Sequence, residues 1–180
     1  MSDHDPNLDG CRRSVSTTLV IRSATQADRP DLRRAVVELQ DYERLLHATR
    51  LPGEQIADAY LNWMLCKAGS TGIVLVAERN GSFVGFAAGW IEEAQNLAET
   101  VESNRFGYIS DIWVAPAFRG QRIASRLLKA TEHHLHRGGV ERLRINSLAT
   151  NTSARTSYEH AGFAPYEISY EKLVIGENDA

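Results

Sequence analysis

Between Tyr108 and Leu128 the chain reads YISDIWVAPAFRGQRIASRLL, and this stretch holds the residues best suited to grip a charged ligand. An apolar run ends before Pro116. After Ala117 and Phe118, the tripeptide Arg119-Gly120-Gln121 leads straight into a helical pattern. A helix start leaves about four N–H groups without internal partners and carries roughly half a positive charge. Gly120 lets backbone come close to a ligand, and Ala124 and Ser125 keep the first turn free of bulk. The combination is an anion cradle suited to a diphosphate. It is not a P-loop, because Gly-x-x-x-x-Gly-Lys-Ser/Thr is absent, nor the dinucleotide fingerprint of three spaced glycines. Taken alone, the loop also fits an ordinary strand–turn–helix with an incidental glycine.

Other reactive residue types carry less. His133, His134 and His136 crowd one helical stretch, but no third ligand is evident, so a solvated flank is expected and no metal. Cys66 falls beside an apolar face and reads as core rather than nucleophile. Trp63, Trp90 and Trp113 read as packing, with Trp90 also a candidate wall for a substrate pocket.

The elements that must position these residues follow from periodicity. Residues 1–17 lack it and read as a flexible arm, leaving 18–176 as one domain. A β-branched run, Thr18–Arg22, opens the order. Asp28 and Pro30 start a helix with Leu32, Val36, Leu39, Tyr42 and Leu46 on one face. A second helix runs from about Glu54, with Ile56, Tyr60, Trp63 and Met64 together, and ends at Gly69. Strands over Gly72–Ala77 and Ser82–Ile91 flank Asn80-Gly81, a strong hairpin signal. Residues 92–104 read as a loop or short helix, and Tyr108–Val114 as a strand. A long amphipathic helix is expected from Gly120 to Arg137, then a strand over Val140–Ile145, a helix over Thr152–Ala161 and a closing strand over Phe163–Val174. The reading is an α/β (α+β) domain: a single mixed, mostly antiparallel twisted sheet with helices on both faces.

Composition agrees with a soluble enzyme-sized domain. The chain has 180 residues, 43% of them hydrophobic, and no window approaches the roughly 18 apolar residues a bilayer demands. Twenty basic residues against 23 acidic give a net charge of −3, and no basic run tracks a phosphate backbone, so neither nucleic acid nor membrane is an expected partner. Two cysteines offer no disulfide framework, and the acidic, polar start is no signal peptide, which points to the cytoplasm.

Two motifs together resemble one family. Val114-Ala-Pro-Ala-Phe-Arg-Gly-Gln-Arg-Ile-Ala124 is similar to the acyl-CoA signature of the GNAT superfamily of N-acetyltransferases, Arg/Gln-x-x-Gly-x-Gly/Ala after a strand ending Val-x-Pro. Downstream, Asn151-x-x-Ala154-x-x-x-Tyr158-x-x-x-Gly162-Phe163 matches the family's second pattern, and the element order fits over 18–174. One position departs: Arg122 stands where the family has its first signature glycine. The cradle survives this if residue 122 is already helical. The missing glycine forbids an inexpensive positive φ there. The guanidinium either lies over a phosphate or is merely solvated at the helix start.

The resemblance implies the GNAT-like fold and transfer of an acetyl group from acetyl-CoA to a primary amine, by direct attack through a tetrahedral intermediate. Ile112, Trp113, Val114, Arg119, Gly120, Gln121, Arg122, Ile123, Ala124, Ser125, Asn151 and Tyr158 are the implied co-substrate contacts, with the Val114 N–H toward the thioester oxygen. Tyr158 is the implied acid for the departing thiolate, and Asn151 either bonds the pantetheine arm or caps the helix it begins. The base is open. Relatives carry glutamate where this chain has Ser110; Asp111 is adjacent, but period 2 points it to the opposite face unless a bulge intervenes. Glu92 or Glu93 is the other choice, or the amine binds already deprotonated. Trp90, Glu92 and Ser110 are the expected acceptor contacts.

Carboxylates of the first two helices and the loops (Glu38, Asp41, Glu43, Glu54, Asp58, Glu92, Glu93, Glu99 and Glu102) suggest an acidic mouth for a small cationic amine. A protein or peptide amine and a non-catalytic acetyl-CoA-binding module are the alternatives, and a homodimer is allowed.

Overall fold

The computed structural model describes residues 18–174, so the arm expected over 1–17 lies outside the described residues. A five-stranded open sheet runs in the order β1 (Leu19–Ser23), β2 (Gly72–Arg79), β3 (Ser82–Glu93), β4 (Arg105–Val114) and β5 (Leu143–Ile145). The first three pairings are antiparallel and β4–β5 is parallel, which makes the sheet mixed and mostly antiparallel. The β2–β3 hairpin turns on Asn80 and Gly81, at φ of 52° and 75°, the two consecutive left-handed residues that a twist-matched two-residue turn demands.

Helices α1 (Arg29–Leu46) and α2 (Gly53–Thr71) cover one face. Their buried residues Leu32, Ala35, Val36, Ala57, Leu61, Met64 and Ala68 pack with Val74, Val76, Phe86, Ala88, Trp90 and Trp113. Alternate residues of the same strands (Leu75, Ala77, Val84, Ala87 and Val114) point to the other face, where Ile123 and Leu127 of α4 (Ile123–Arg137) cover them. Gly53 lets α2 begin hard against α1, since a Cβ there would run into the Val37 backbone. The Asp41 carboxylate accepts the Gly53 N–H at 2.7 Å and fixes the joint. A short α3 (Val101–Asn104), capped by Thr100, lies within 92–104, and α5 (Thr152–His160) follows β5.

Three expectations need correction. The strand read over Phe163–Val174 does not form: Tyr166, Ile168, Tyr170, Leu173 and Val174 are exposed, and the segment pairs with no strand of the sheet. β5 spans only Leu143–Ile145, too short an edge to template a long partner. Side chains tether the segment instead, with Tyr166 over the Arg144 guanidinium at 4.6 Å and Glu171 against His47 at 3.2 Å. Second, α4 starts at Ile123 rather than Gly120. Third, Cys66 is exposed, because the buried face of α2 runs through Leu61, Met64 and Ala68 instead.

Candidate active site

The site is organised by one irregularity in β4. Ala88 faces Asp111 and Gly89 faces Ile109, so Ser110 is an extra residue without a cross-strand partner. Such a bulge resets the alternation. Tyr108, Ser110, Asp111 and Trp113 therefore all turn toward α1 and α2, while Ile109, Ile112 and Val114 pack toward α4. The bulge is what delivers a carboxylate that strict period 2 would have sent to the other side.

A cavity of about 280 Å³ opens over this segment, between the sheet and the two helices. Its walls include Leu39, Glu43, Arg50, Ile56, Tyr60, Trp63, Tyr108 and Asn146, and Ser110 and Asp111 lie in its floor. Asp111 is 7% exposed. The Tyr60 hydroxyl donates to it, 2.9 Å from Oδ1 and 3.1 Å from Oδ2, and lies 3.4 Å from Ser110 Oγ. Burial pushes the Asp111 carboxyl up to about 6; hydrogen bonds from Ser110 and Tyr60 pull it down, and the Glu43 charge adds to the rise. Burial, then the Asp111 charge, likewise drives the Tyr60 phenol up. Tyr158 on α5 is held against Phe163 with ring centroids 6.2 Å apart. Its phenol is pushed up to about 12, first by burial and then by the charges of Glu43 and Asp111, although it does not line the cavity.

At the far end of β4 lies the loop. A single 3₁₀ turn (Pro116–Phe118) ends at Arg119, whose Nε donates to the Val114 carbonyl at 3.1 Å. Gly120 has φ 75°. Gln121 accepts from Arg79 and donates to the Ala117 carbonyl at 3.4 Å. Arg122 then takes φ 59°, ψ 19°, so the condition of an already helical residue 122 is not met. The backbone makes the left-handed turn that a glycine would make at less cost, on the order of 1 kcal/mol. No side chain caps the α4 N-terminus that follows, so the N–H groups of Ile123, Ala124 and Ser125 receive no side-chain acceptor from the cap position. Because β5 pairs with β4 only from Gly107 to Ile109, no strand of the sheet covers the β5-facing edge from Ile112 to Val114. Ala115 N–H bonds Val84 on the β3 side, so by alternation the Val114 N–H points to that open edge. Asn151 caps α5, its Oδ1 accepting from Ala154 N–H at 3.2 Å, which leaves its amide NH₂ as a donor.

Several expected contacts lie elsewhere. Trp90 is 1% exposed and sits behind Trp63 and Tyr108 in an edge-to-face chain, so it supports the cavity wall rather than forming it. Glu92 accepts from Trp90 Nε1 at 2.5 Å and pairs with Lys67 at 3.1 Å, and Glu93 pairs with Arg105. The side chain of Trp113 is stacked on Phe83 in the core, which leaves only its backbone for a ligand. The acidic mouth contracts as well. Glu54 and Asp58 hold Arg33, Asp41 holds Gly53, and Glu99 accepts from Tyr166; of the carboxylates expected there, Glu43 alone reaches the cavity, with Arg50 3.2 Å away. Glu43 thus keeps its expected place at the mouth, whereas Tyr60 is a site residue that its helical spacing marks only as part of an inward face. Among the described residues no group of histidine, cysteine or carboxylate side chains is placed to hold a metal ion, and no helix is long and apolar enough to cross a membrane.

The acetyltransferase (GNAT) family model matches residues 36–163, which spans the cavity, the cradle and α5. The chain belongs to the GNAT family. Two curated relatives are the thialysine N-epsilon-acetyltransferase of Mus musculus, 27% identical over 79% of this chain and 82% of its own, and the uncharacterized N-acetyltransferase YhfO of Bacillus subtilis (strain 168), 29% identical over 51% of this chain. The match spans 58% of YhfO. Among solved structures, the aminoglycoside N-acetyltransferase AAC(6')-Iy in complex with CoA shares the fold, with a TM-score of 0.66 at 19% identity over 88% of this chain and 97% of that one. At that identity the likeness is one of fold.

Proposed function

We propose that this protein transfers the acetyl group of acetyl-CoA to the primary amine of a small, cationic acceptor. One observation carries the reading: a single strand, β4, holds a buried carboxylate in the floor of an aromatic-walled cavity and leads, through the loop 115–122, to a helix start without a side-chain cap. The two ends suit two reactants. The relatives named above for thialysine and aminoglycoside N-acetylation support a nitrogen acceptor, and the CoA complex supports the carrier.

In this reading the N–H groups of Ile123, Ala124 and Ser125, with the Gly120–Arg122 loop, grip the diphosphate, and Arg122 supplies a cation beside it. The pantetheine arm lies along the open edge of Ile112–Val114, where the Val114 N–H and the Asn151 amide are its donors. The carrier contributes an activated thioester. An acceptor ammonium enters the cavity between Tyr108, Trp63 and Glu43; the aromatic faces and the carboxylate both favour a cation. Asp111 takes the proton that the amine must lose, through a water. Its raised basicity suits it to act near neutrality, where an ordinary carboxylate is a poor base. The Val114 N–H meets the developing oxyanion. Tyr158, kept fully protonated by its burial, gives its proton to the departing sulfur.

The test is direct. Purified protein is incubated with acetyl-CoA and a panel of mono- and diamines, aminoglycosides and lysine peptides, with free thiol measured. Release confined to small cationic amines is the expected result. Release for peptides alone overturns the acceptor class, and CoA binding without release for any amine overturns the enzyme reading.

A further inference from the structure

The cavity floor contains a residue that no motif marks. We propose that Tyr60 is a positioning residue for the reaction: its hydroxyl orients the Asp111 carboxylate and keeps it charged in a buried site, so that it stands ready to accept the amine's proton. The proposal rests on the reading of Asp111 as base.

The geometry is specific. Tyr60 reaches from α2 across the helix–sheet boundary and bridges both carboxylate oxygens, at 2.9 and 3.1 Å. One hydroxyl shared between both oxygens holds the carboxylate end in place on the cavity floor and leaves further lone pairs as acceptors. The phenol is itself held. Its ring centroid lies 5.3 Å from that of Trp63, which meets Trp90 edge-on at 5.3 Å, and Trp90 in turn meets Tyr108 at 5.8 Å. This aromatic chain ties α2 to β3 and β4 at the level of the base.

The surroundings explain why a donor is needed. From α1, Glu43 faces Asp111 and opposes its charge; Arg50, after α1, lines the same cavity and pairs with Glu43. From β4 itself come the Ser110 hydroxyl, which favours the charge, and the Tyr108 phenol; from α5 comes the phenol of Tyr158. None of these is a cation bonded to Asp111. Burial and Glu43 both push the carboxyl toward its neutral form, and Tyr60 and Ser110 are the hydrogen bonds that resist. Removal of the hydroxyl would leave Asp111 more basic but protonated in a larger share of molecules near neutrality.

Tyr60→Phe keeps the ring and removes the donor. The acidic limb of the kcat/KM–pH profile should then move upward by about one unit, the size expected for losing a hydrogen bond to a charged group, with acetyl-CoA KM unchanged. Tyr60→3-fluorotyrosine, which preserves shape while making the phenol a stronger donor, should move the limb downward, and it decides the matter should the phenylalanine variant fold poorly. A merely structural tyrosine would alter rate or melting temperature and leave the limb in place; that result overturns the proposal. Asp111→Asn separates the two claims. If it abolishes the limb while both Tyr60 variants leave it unmoved, the proposal alone fails. If it retains wild-type rate and limb, the base reading fails and takes the proposal with it.

Discussion

At the scale of single residues, Asp111 carries a conflict between function and stability, and the conflict has a sign. Its carboxyl is raised in the folded protein to about 6, mainly by burial, so the folded state holds its proton more tightly than the unfolded chain does. The contribution of Asp111 to stability is therefore greatest below the ordinary carboxylate range and declines as pH rises through that window to about 6. Catalysis runs the other way, because the base works only when ionised. Asp111→Asn, a neutral isostere that still accepts from Tyr60, should stabilise the fold at about pH 8 by on the order of 1–3 kcal/mol and lower kcat/KM by about 10²–10⁴-fold. Little stability should be gained at about pH 4. Denaturant midpoints at the two pH values check this, and equal midpoints at both would remove the buried-charge argument. Tyr158 is simpler. With its phenol pushed up to about 12 it is protonated throughout the working range, so Tyr158→Phe should cut kcat by roughly 10²-fold without shifting the acidic limb. An unaltered kcat would exclude it as the acid.

Local elements decide which of these residues meet. The run of strands and helices was readable from hydrophobic period, and the Asn80-Gly81 turn from its residue types. The bulge entered only as a condition on Asp111, because Ser110 looks like any strand residue; its lack of a partner opposite β3 is what turns Asp111 into the cavity. The closing strand was over-read for a related reason, since alternation in Tyr166, Ile168 and Tyr170 states a preference but supplies no edge to pair with. Tyr60 was hidden because helical periodicity identifies the inward face without saying whether it meets core or cavity. Arg122 shows the reverse case. The sequence departs from the signature, yet the backbone takes the left-handed turn that a glycine would allow at less cost, at φ 59°. Arg122→Gly should therefore stabilise the protein by about 1 kcal/mol, less the entropy that glycine restores to the unfolded chain. Titration with CoA and with its 3'-dephospho form then reports on the guanidinium. Weaker binding alongside higher stability is the expected pair, and unchanged affinity would reduce Arg122 to a solvated cap.

For the whole molecule, the cavity exists because two helices roof a sheet, so whatever anchors the roof also keeps the site open. The roof begins at a partly buried cluster. Arg22 of β1 bonds both oxygens of Asp28 at 2.8 Å and also pairs with Glu78 of β2, while the Thr25 backbone and hydroxyl donate to Asp28. Asp28, just before α1, is 6% exposed, and the Arg22 guanidinium holds its carboxyl well below the usual carboxylate range. A depressed carboxyl contributes stability above its unfolded pKa of about 3.9 and loses it as pH falls below that value. A second set of pairs, Arg33 with Glu54 and Asp58, joins α1 to α2 with carboxylates about 70% exposed. Water screens such pairs, and they add little. Asp28→Asn should thus cost about 1–3 kcal/mol at neutral pH and progressively less as pH falls below about 4, whereas Arg33→Ala should leave the denaturant midpoint nearly unchanged. Because neither residue touches the cavity, acetyl-CoA KM should hold in both variants at temperatures where they stay folded. If Arg33→Ala proved the more damaging substitution, the roof would be held by the helix–helix contact rather than by its anchor on the sheet.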